Sequence, residues 1–309
     1  QPKKHLKVNP KGVEENDFVF ILGYPGRTFR HRPAQFIEYQ QKFLLPFTSE
    51  LNDFQNQQMM LAGKNDKATE LALATRIKRN ANVMKNYRGK LKGLRNIDLV
   101  STKKKEDQEL ANFINSKPEL KSKYGSLMQD IDQHYQLVFS DAMRELWFNN
   151  LYSGIRTMHV ANMINSFKIA VANQKSEIDR KRIFDLNIEN VKKQLDAVYE
   201  SYNIIADKNI AARMFSDALN LTDKHRIQTI QKRNFATNDQ ASSFIQNAID
   251  KSQLNSKESL YTTVLKDANS LVSYSDDILN LQAELGEELG IFREELKRRE
   301  GVLNRLMGD

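Results

Sequence analysis

Residues 16–30 read NDFVFILGYPGRTFR and contain the one segment of the chain that the sequence predicts as a β-strand. Residues 17–22 form a short apolar run, rich in aromatic and β-branched side chains, which is typical of a core strand. Pro25 and Gly26 then suit a type II turn, because proline fixes φ at the second turn position and glycine accepts a positive φ at the third. A strand needs neighbours to pair its N–H and C=O groups. We therefore expect its partner strands to lie in sequence outside this chain, which makes the chain a piece of a longer protein.

Helical periodicity dominates everything after this segment. Apolar residues recur at spacings of three and four throughout residues 119–146, which predicts one long, central helix. Residues 67–95 predict another long helix, and an apolar stripe over residues 278–306 predicts the last one. Pro46 is expected to interrupt a helix. The predicted fold class is all-α, an irregular bundle of long antiparallel helices with a short β-strand remnant at the N-terminus.

Composition limits the classes of protein to which the chain can belong. Of its 309 residues, 40% are hydrophobic and 28% are charged, as in an ordered, helix-rich protein. Cysteine is absent, which excludes disulfides, thiolate metal sites and cysteine nucleophiles. No apolar run approaches the roughly 20 residues of a membrane span, so we expect none. The net charge of +8 is spread over short basic groups, which favours a solvated helix surface over a nucleic-acid partner.

The sequence contains no motif of an independent active site. The five histidines lack zinc-motif spacing, and we interpret each one as a surface or a satisfied core residue: His5, His31, His134, His159 and His225. Ser153 precedes a glycine but lacks the glycine-rich surroundings of a serine nucleophile. We predict no catalytic residue, no metal ligand and no cofactor.

One uncharged stripe interrupts the basic helix of residues 67–95. Asn82, Asn86, Gly89 and Gly93 follow one another at steps of four, three and four, so they share one face. Glycines on that face allow close approach by another element. The stripe is either the crossing point of a neighbouring helix, to which the asparagines donate hydrogen bonds, or a face that contacts a ligand.

Two parts of the sequence resemble a known family. Residues 16–28, NDFVFILGYPGRT, resemble the end of the first β-barrel in bacterial dipeptidyl aminopeptidases, which insert a helical domain into a chymotrypsin-like serine peptidase. Ala81-Asn82, Lys85-Asn86, Gly89 and Gly93-Leu94 are similar to a run in the inserted helical domain of that family. The two matches occur in the family's order.

The resemblance implies a domain organisation and a function. Residues 1–30 would be a remnant of the first β-barrel, and residues 31–309 the inserted helical cap domain. The cap would cover the active-site cleft, and Asn82 would help to bind the α-amino group of a peptide substrate with a free N-terminus. An asparagine carbonyl can accept from an ammonium without adding a charge of its own.

The same resemblance places the catalytic triad outside this chain. In the family, the histidine and aspartate precede the region of residues 23–28, and the serine follows the helical insertion. We therefore expect this chain alone to be inactive and to need the missing barrel domains of the same polypeptide as partners. A bacterial periplasmic or cell-surface location is also implied.

The alternative from another functional class is a non-enzymatic helical protein-interaction domain. In that case residues 17–22 would be an edge strand that pairs with a partner by β-augmentation. Nucleic-acid binding by the basic surface is a third and weaker alternative. A triad histidine and aspartate upstream of this sequence, and a serine loop downstream, would distinguish the peptidase from both.

Overall fold

The computed structural model describes residues 3–4, 7–20, 22–23, 29–222 and 225–308 of the chain. The chain divides into two compact units, Gln1–Arg32 and Pro33–Asp309. The second unit is built from helices, and the part of the chain that the structure describes contains no β-strand. The predicted all-α class is therefore confirmed.

The helices of the second unit follow one another through short connections. In chain order they are α1 (Ala34–Tyr39), α2 (Leu45–Gly63), α3 (Lys67–Ile97), α4 (Leu99–Ser116), α5 (Pro118–Tyr124), α6 (Leu127–Gly154), α7 (Arg156–Ala172), α8 (Glu177–Tyr199), α9 (Ile204–Leu219), α10 (Gln228–Gln231), α11 (Asn238–Lys251), α12 (Lys257–Ser259), α13 (Ala268–Ser273) and α14 (Asp277–Gly308). Two π-helical segments, Gln40–Leu44 and Leu260–Val264, and a 3₁₀ turn at Gln253–Asn255 complete the described set.

The C-terminal part of helix α6 belongs to the hydrophobic core, to which it contributes Trp147, Phe148 and Leu151. The side chain of Trp147 is fully buried, and its indole Nε1 donates to the carbonyl oxygen of Met214 at 2.7 Å. The rings of Phe148 and Phe215 lie 5.2 and 6.0 Å from that of Trp147, which joins α6 to α9. None of the described helices is both long and apolar enough to cross a membrane.

The predicted interruption at Pro46 is wrong. The chain stays helical across it, because the π-helical segment Gln40–Leu44 precedes α2 and Pro46 is the second residue of α2. At the end of the π segment, the N–H of Leu45 bonds to the carbonyl of Gln40. The π-helical segment changes the hydrogen-bond register just before Pro46, so a residue without an N–H is accommodated without ending the helix.

The single helix predicted over residues 119–146 is instead divided into α5 and α6 at Gly125 and Ser126. A Cβ atom at Gly125 would lie 2.5 Å from the carbonyl oxygen of Lys121, so the chain turns where only glycine fits. Apolar spacing remains helical on both sides of the break. For that reason periodicity alone did not reveal it.

The first unit contains turns and extended backbone in its described residues. The N–H of Gly12 bonds to the carbonyl of Asn9 at 3.2 Å, and Glu14 N–H donates to the carboxylate of Asp17 at 2.8 Å. The predicted strand is not formed over its described part, where Phe18 is 91% exposed. No described segment of the chain pairs with it, and a strand requires such pairing. Ile21 and the predicted turn at Pro25–Gly26 lie outside the described residues.

Candidate functional site

The N-terminal half of α3 is docked against α2. Leu73 and Met59 are buried together in a small apolar cluster between the two helices. A second contact lies two turns after Leu73 in α3 and one turn before Met59 in α2. There, the side-chain amide of Asn80 donates to Oε1 of Gln55 at 3.0 Å, and both residues are buried. These contacts fix the rotation of α3 about its own axis, because its docked face is the one that carries Leu73 and Asn80.

Arg76 lies on the same docked face and ties α3 to the end of α6. Its Nη2 donates to the carbonyl oxygen of Gly154 at 2.7 Å and to that of Ser153 at 3.4 Å. These carbonyls belong to the last turn of α6, where they have no intrahelical donor. Burial is the main cause that lowers the pKa of Arg76, to about 10. The guanidinium therefore stabilises a helix C-terminus from inside the domain.

Asn82 lies on the opposite face of α3. At about 100° per residue, two positions after the buried Asn80 correspond to about 200° of rotation, so Asn82 is directed away from α2. Asn82, Asn86, Gly89 and Gly93 are all exposed. Within the described part of the chain, the side chain of Asn82 forms no hydrogen bond. The predicted stripe is thus an open surface, and the role of Asn82 in binding stays a prediction.

No described helix crosses α3 at the two glycines. A Cβ atom built at Gly89 or at Gly93 would have no atom within 4 Å among the described residues. Gly154 is a contrasting case, since a Cβ there would lie 2.8 Å from Sδ of Met214. The crossing-helix interpretation of the stripe is therefore not supported within this chain.

The remaining candidate residues are dispersed. Ser153 Oγ donates to the carbonyl of Asn150 at 3.4 Å and forms no hydrogen bond with a described histidine. His225 is paired through Nδ1 with Asp141 at 2.7 Å. His159 is half-buried, and its Nδ1 has no partner among the described residues. The described residues form no cluster of side chains suited to a metal ion, and the absence of a metal site stays a prediction.

One cluster was missed by the sequence interpretation. Arg76 and Arg79 of α3 line the same cleft as Arg156 and His159 of α7. The only sequence signal was the basic character of each segment, and basic residues are frequent throughout this chain. Their convergence depends on the docking of α3 against the junction of α6 and α7.

Comparison with known proteins gives a consistent set of relatives. A model of the family described as Peptidase S46 matches residues 1–307. Dipeptidyl-peptidase 7 of Capnocytophaga gingivalis is 31% identical over 201 residues, which cover 65% of this chain and 27% of that protein. An Asp/Glu-specific dipeptidyl-peptidase of Shewanella putrefaciens is 24% identical over 211 residues, covering 68% of this chain and 28% of that protein.

A solved structure shares the fold. The crystal structure of Porphyromonas endodontalis DPP11 in complex with substrate superposes with a TM-score of 0.72 at 18% sequence identity. The match covers 99% of this chain and 42% of that chain. The chain therefore spans between about a quarter and two fifths of the length of the relatives it matches.

Proposed function

The chain belongs to the Peptidase S46 family, and on that premise we propose that it forms the helical cap of a serine-type dipeptidyl-peptidase. Residues 31–309 are the inserted helical domain in this proposal, and residues 1–30 belong to the first β-barrel. The complete peptidase releases dipeptides from the N-terminus of peptides, in the periplasm or at the surface of a bacterial cell. The dipeptidyl-peptidase names of the longer relatives support this assignment.

The observation that carries the proposal is the open face of α3. A cap that contacts substrate needs polar groups directed away from its own core, and Asn82 is exposed opposite the face that docks on α2. The glycines at positions 89 and 93 leave room beside it, since no described atom lies within 4 Å of either Cβ position. A peptide N-terminus can therefore approach the helix closely, with its ammonium bonded to the carbonyl oxygen of Asn82.

The first unit supports the proposed link to a barrel. Its apolar residues Val19, Phe20 and Leu22 are exposed, and the described residues around them make no strand pairing. An apolar, β-branched and aromatic segment of this kind is stabilised when it joins a sheet and buries one face. We infer that barrel domains of the longer polypeptide supply that sheet.

The chemistry is divided between the two parts of the peptidase. A serine attacks the scissile carbonyl, a histidine transfers the proton and an aspartate orients the histidine, all three supplied by the barrels. The helical cap covers the cleft, excludes water and holds the substrate N-terminus at a fixed distance from the serine. Such a fixed distance accounts for release of two residues at a time. The chain without its barrels is expected to hydrolyse no dipeptidyl substrate.

A non-enzymatic interaction domain is the second candidate, and the exposure of Phe18, Val19 and Phe20 favours it as much as it favours a barrel. The two candidates differ at Asn82, because only a peptidase requires an amine-binding group there. The decisive experiment therefore targets that residue.

Replacement Asn82→Ala in the full-length peptidase is expected to lower kcat/KM for dipeptide release about ten- to a hundredfold. A hydrogen bond to a charged group contributes about 1.5–3 kcal/mol, and its loss from the transition state converts to that factor. The Tm should stay nearly unchanged, because Asn82 is exposed and bonds to no described residue. Steady-state kinetics with a chromogenic dipeptide substrate and a thermal melt measure both quantities on the same variant.

Asn96→Ala is the matched control, since Asn96 is exposed near the end of the same helix. It should leave both quantities at the wild-type level. If Asn82→Ala instead lowers the Tm and spares kcat/KM, Asn82 ties structural elements together and the amine-binding role is wrong.

A further inference from the structure

A cleft of about 660 Å³ lies between α3, α7 and the end of α8, within the second unit. Arg76 and Arg79 of α3 line one side, and Arg156 and His159 of α7 line the other. Three guanidinium groups and an imidazole therefore surround a space large enough for a small molecule. Nothing in the proposed substrate-binding role of Asn82 requires this cleft.

The cationic side chains of this cleft donate to few hydrogen-bond acceptors. A guanidinium offers five N–H donors, yet among the described residues only Nη2 of Arg76 donates to acceptors, the carbonyls at the end of α6. Arg76 is 4% exposed and its Nε has no partner; Nε of Arg156 and Nδ1 of His159 are buried without partners as well. Among the described residues, the side chains of Arg79 and Arg156 donate to no acceptor. The buried Nε donors of Arg76 and Arg156 that lack acceptors favour a ligand that accepts hydrogen bonds.

The acids near the cleft do not neutralise it. No carboxylate of the described residues lies within 4 Å of the guanidinium of Arg76, Arg79 or Arg156. The carboxylate of Asp207 is buried and is bonded to the backbone N–H groups of Arg156 and Thr157, at 2.6 and 2.9 Å. Glu200 also lines the cleft but is exposed and forms no ion pair with a described residue. Positive charge therefore remains in excess.

The arginines also repel one another. Burial lowers the pKa of Arg156 and the charge of Arg79 lowers it further, while the charge of Asp207 opposes both. Burial and the charge of Arg156 lower the pKa of His159 in the same way. An anion in the cleft would reduce this repulsion, because it would stabilise the charged form of each group. A purely structural role accounts for Arg76, which caps α6, but not for Arg156, whose buried Nε has no partner among the described residues.

We propose that the cleft binds a small oxyanion, a carboxylate or a phosphate, held by Arg79 and Arg156 with Arg76 behind them. The planar guanidinium matches both anions through paired N–H donors, and such charge-assisted bonds are stronger than those between neutral groups. His159 lies beside the anion and supplies one further donor on protonation. The class of ligand follows from the donors alone, since the cleft contains many N–H groups and few acceptors.

Titration calorimetry of the purified chain tests this inference, with inorganic phosphate in one series and succinate in another at constant ionic strength. We expect saturable binding of at least one anion. Binding of phosphate alone would assign the site to phosphate groups, and binding of succinate alone would assign it to carboxylates. Signals of the His159 ring should shift in NMR spectra over the same concentration range.

Arg79→Gln is the test variant, because Arg79 is exposed and bonds to no described residue, so its loss should not disturb folding. The substitution should raise the Kd for the anion about tenfold or more, as expected for loss of a hydrogen bond between charged groups. Lys78→Gln is the matched control: it removes the same charge from the neighbouring position of α3, which lines a different cavity. Arg156→Gln should weaken binding to a similar extent as Arg79→Gln.

Three results would overturn the inference. The first is the absence of saturable binding of either anion to the wild-type chain. The second is equal affinity of wild type and Arg79→Gln, and the third is an equal loss of affinity in Lys78→Gln, which would mean that the anions respond only to net charge.

Discussion

Asp207 shows how a single side chain can join two helices that are far apart in sequence. It lies in the first turn of α9, but its carboxylate accepts from the N–H groups of Arg156 and Thr157 at the start of α7. Oγ1 of Thr157 donates to it as well, at 2.7 Å. Burial raises the pKa of the Asp207 carboxyl, while these donors and the charge of Arg76 oppose that rise. Ile155 is the N-cap residue of α7, and its side chain forms no capping hydrogen bond. The carboxylate of Asp207 provides the cap instead.

Replacement Asp207→Ala is expected to reduce the free energy of unfolding by about 2–4 kcal/mol, because a helix cap is lost and buried donors are left unsatisfied. Urea unfolding followed by circular dichroism measures the change. Asp239→Ala serves as the control, since Asp239 is an exposed first-turn residue of α11. An effect of Asp207→Ala no larger than that of the control would mean that water satisfies these donors.

At the scale of elements, the two halves of α3 differ in how much of their surface is buried. Its buried residues Leu73, Arg76 and Asn80 all lie in the N-terminal half. From position 81 to position 97 every residue of α3 is partly or fully exposed. The second half, which carries the stripe of Asn82 and the glycines, therefore depends more on helix propensity than on burial.

Because of this, Gly89→Ala and Gly93→Ala should each stabilise α3 by about 0.5–1 kcal/mol. Glycine in a helix interior loses backbone entropy, and the space around both Cβ positions is open. Hydrogen exchange of the α3 amides measures the local change. Gly154→Ala is the contrasting variant and should destabilise the fold by about 1–3 kcal/mol, because its Cβ would meet Met214. Faster α3 exchange in the two alanine variants would show that this half of α3 needs its glycines.

For the whole molecule, the two units differ in how their apolar residues are used. The second unit buries a continuous core that includes Leu151, Met158 and Leu285, each fully buried. The first unit exposes Phe18, Val19 and Phe20 and holds its described backbone with short turns. Under the proposed function, we expect these apolar residues to be buried when the segment pairs with a sheet.

We therefore expect the amides of Val19 and Phe20 to exchange rapidly with solvent in a dilute, monomeric sample of the chain. The amides of Leu151 and Met158 should be strongly protected in the same experiment, since they lie in the core. Hydrogen exchange followed by mass spectrometry distinguishes the two segments. Strong protection of residues 18–20 in a sample shown to be monomeric would mean that this chain itself supplies a pairing partner.

Features set by neighbouring residues were predictable from the sequence. The helical period needs only side chains three and four positions apart, so the all-α class and the long helix α3 follow from it directly. The cap of α11 is a local feature of the same kind, because Oγ1 of Thr237 accepts from the N–H of Gln240 within one turn. The same local rule placed Asn82 and the glycines on one face. The break at Gly125 was missed because apolar spacing continues across it.

Tertiary structure alone decided which faces are open and which residues meet. Whether the face of Asn82 was covered depended on the rotation of α3 about its axis, and contacts with α2 on the far side set that rotation. The cleft of Arg76, Arg79 and Arg156, and the capping of α7 by Asp207, join residues that no local period connects. These residues meet because the helices bury their apolar faces around one core. The free energy of that burial depends on the whole set of contacts, so no single segment predicts it.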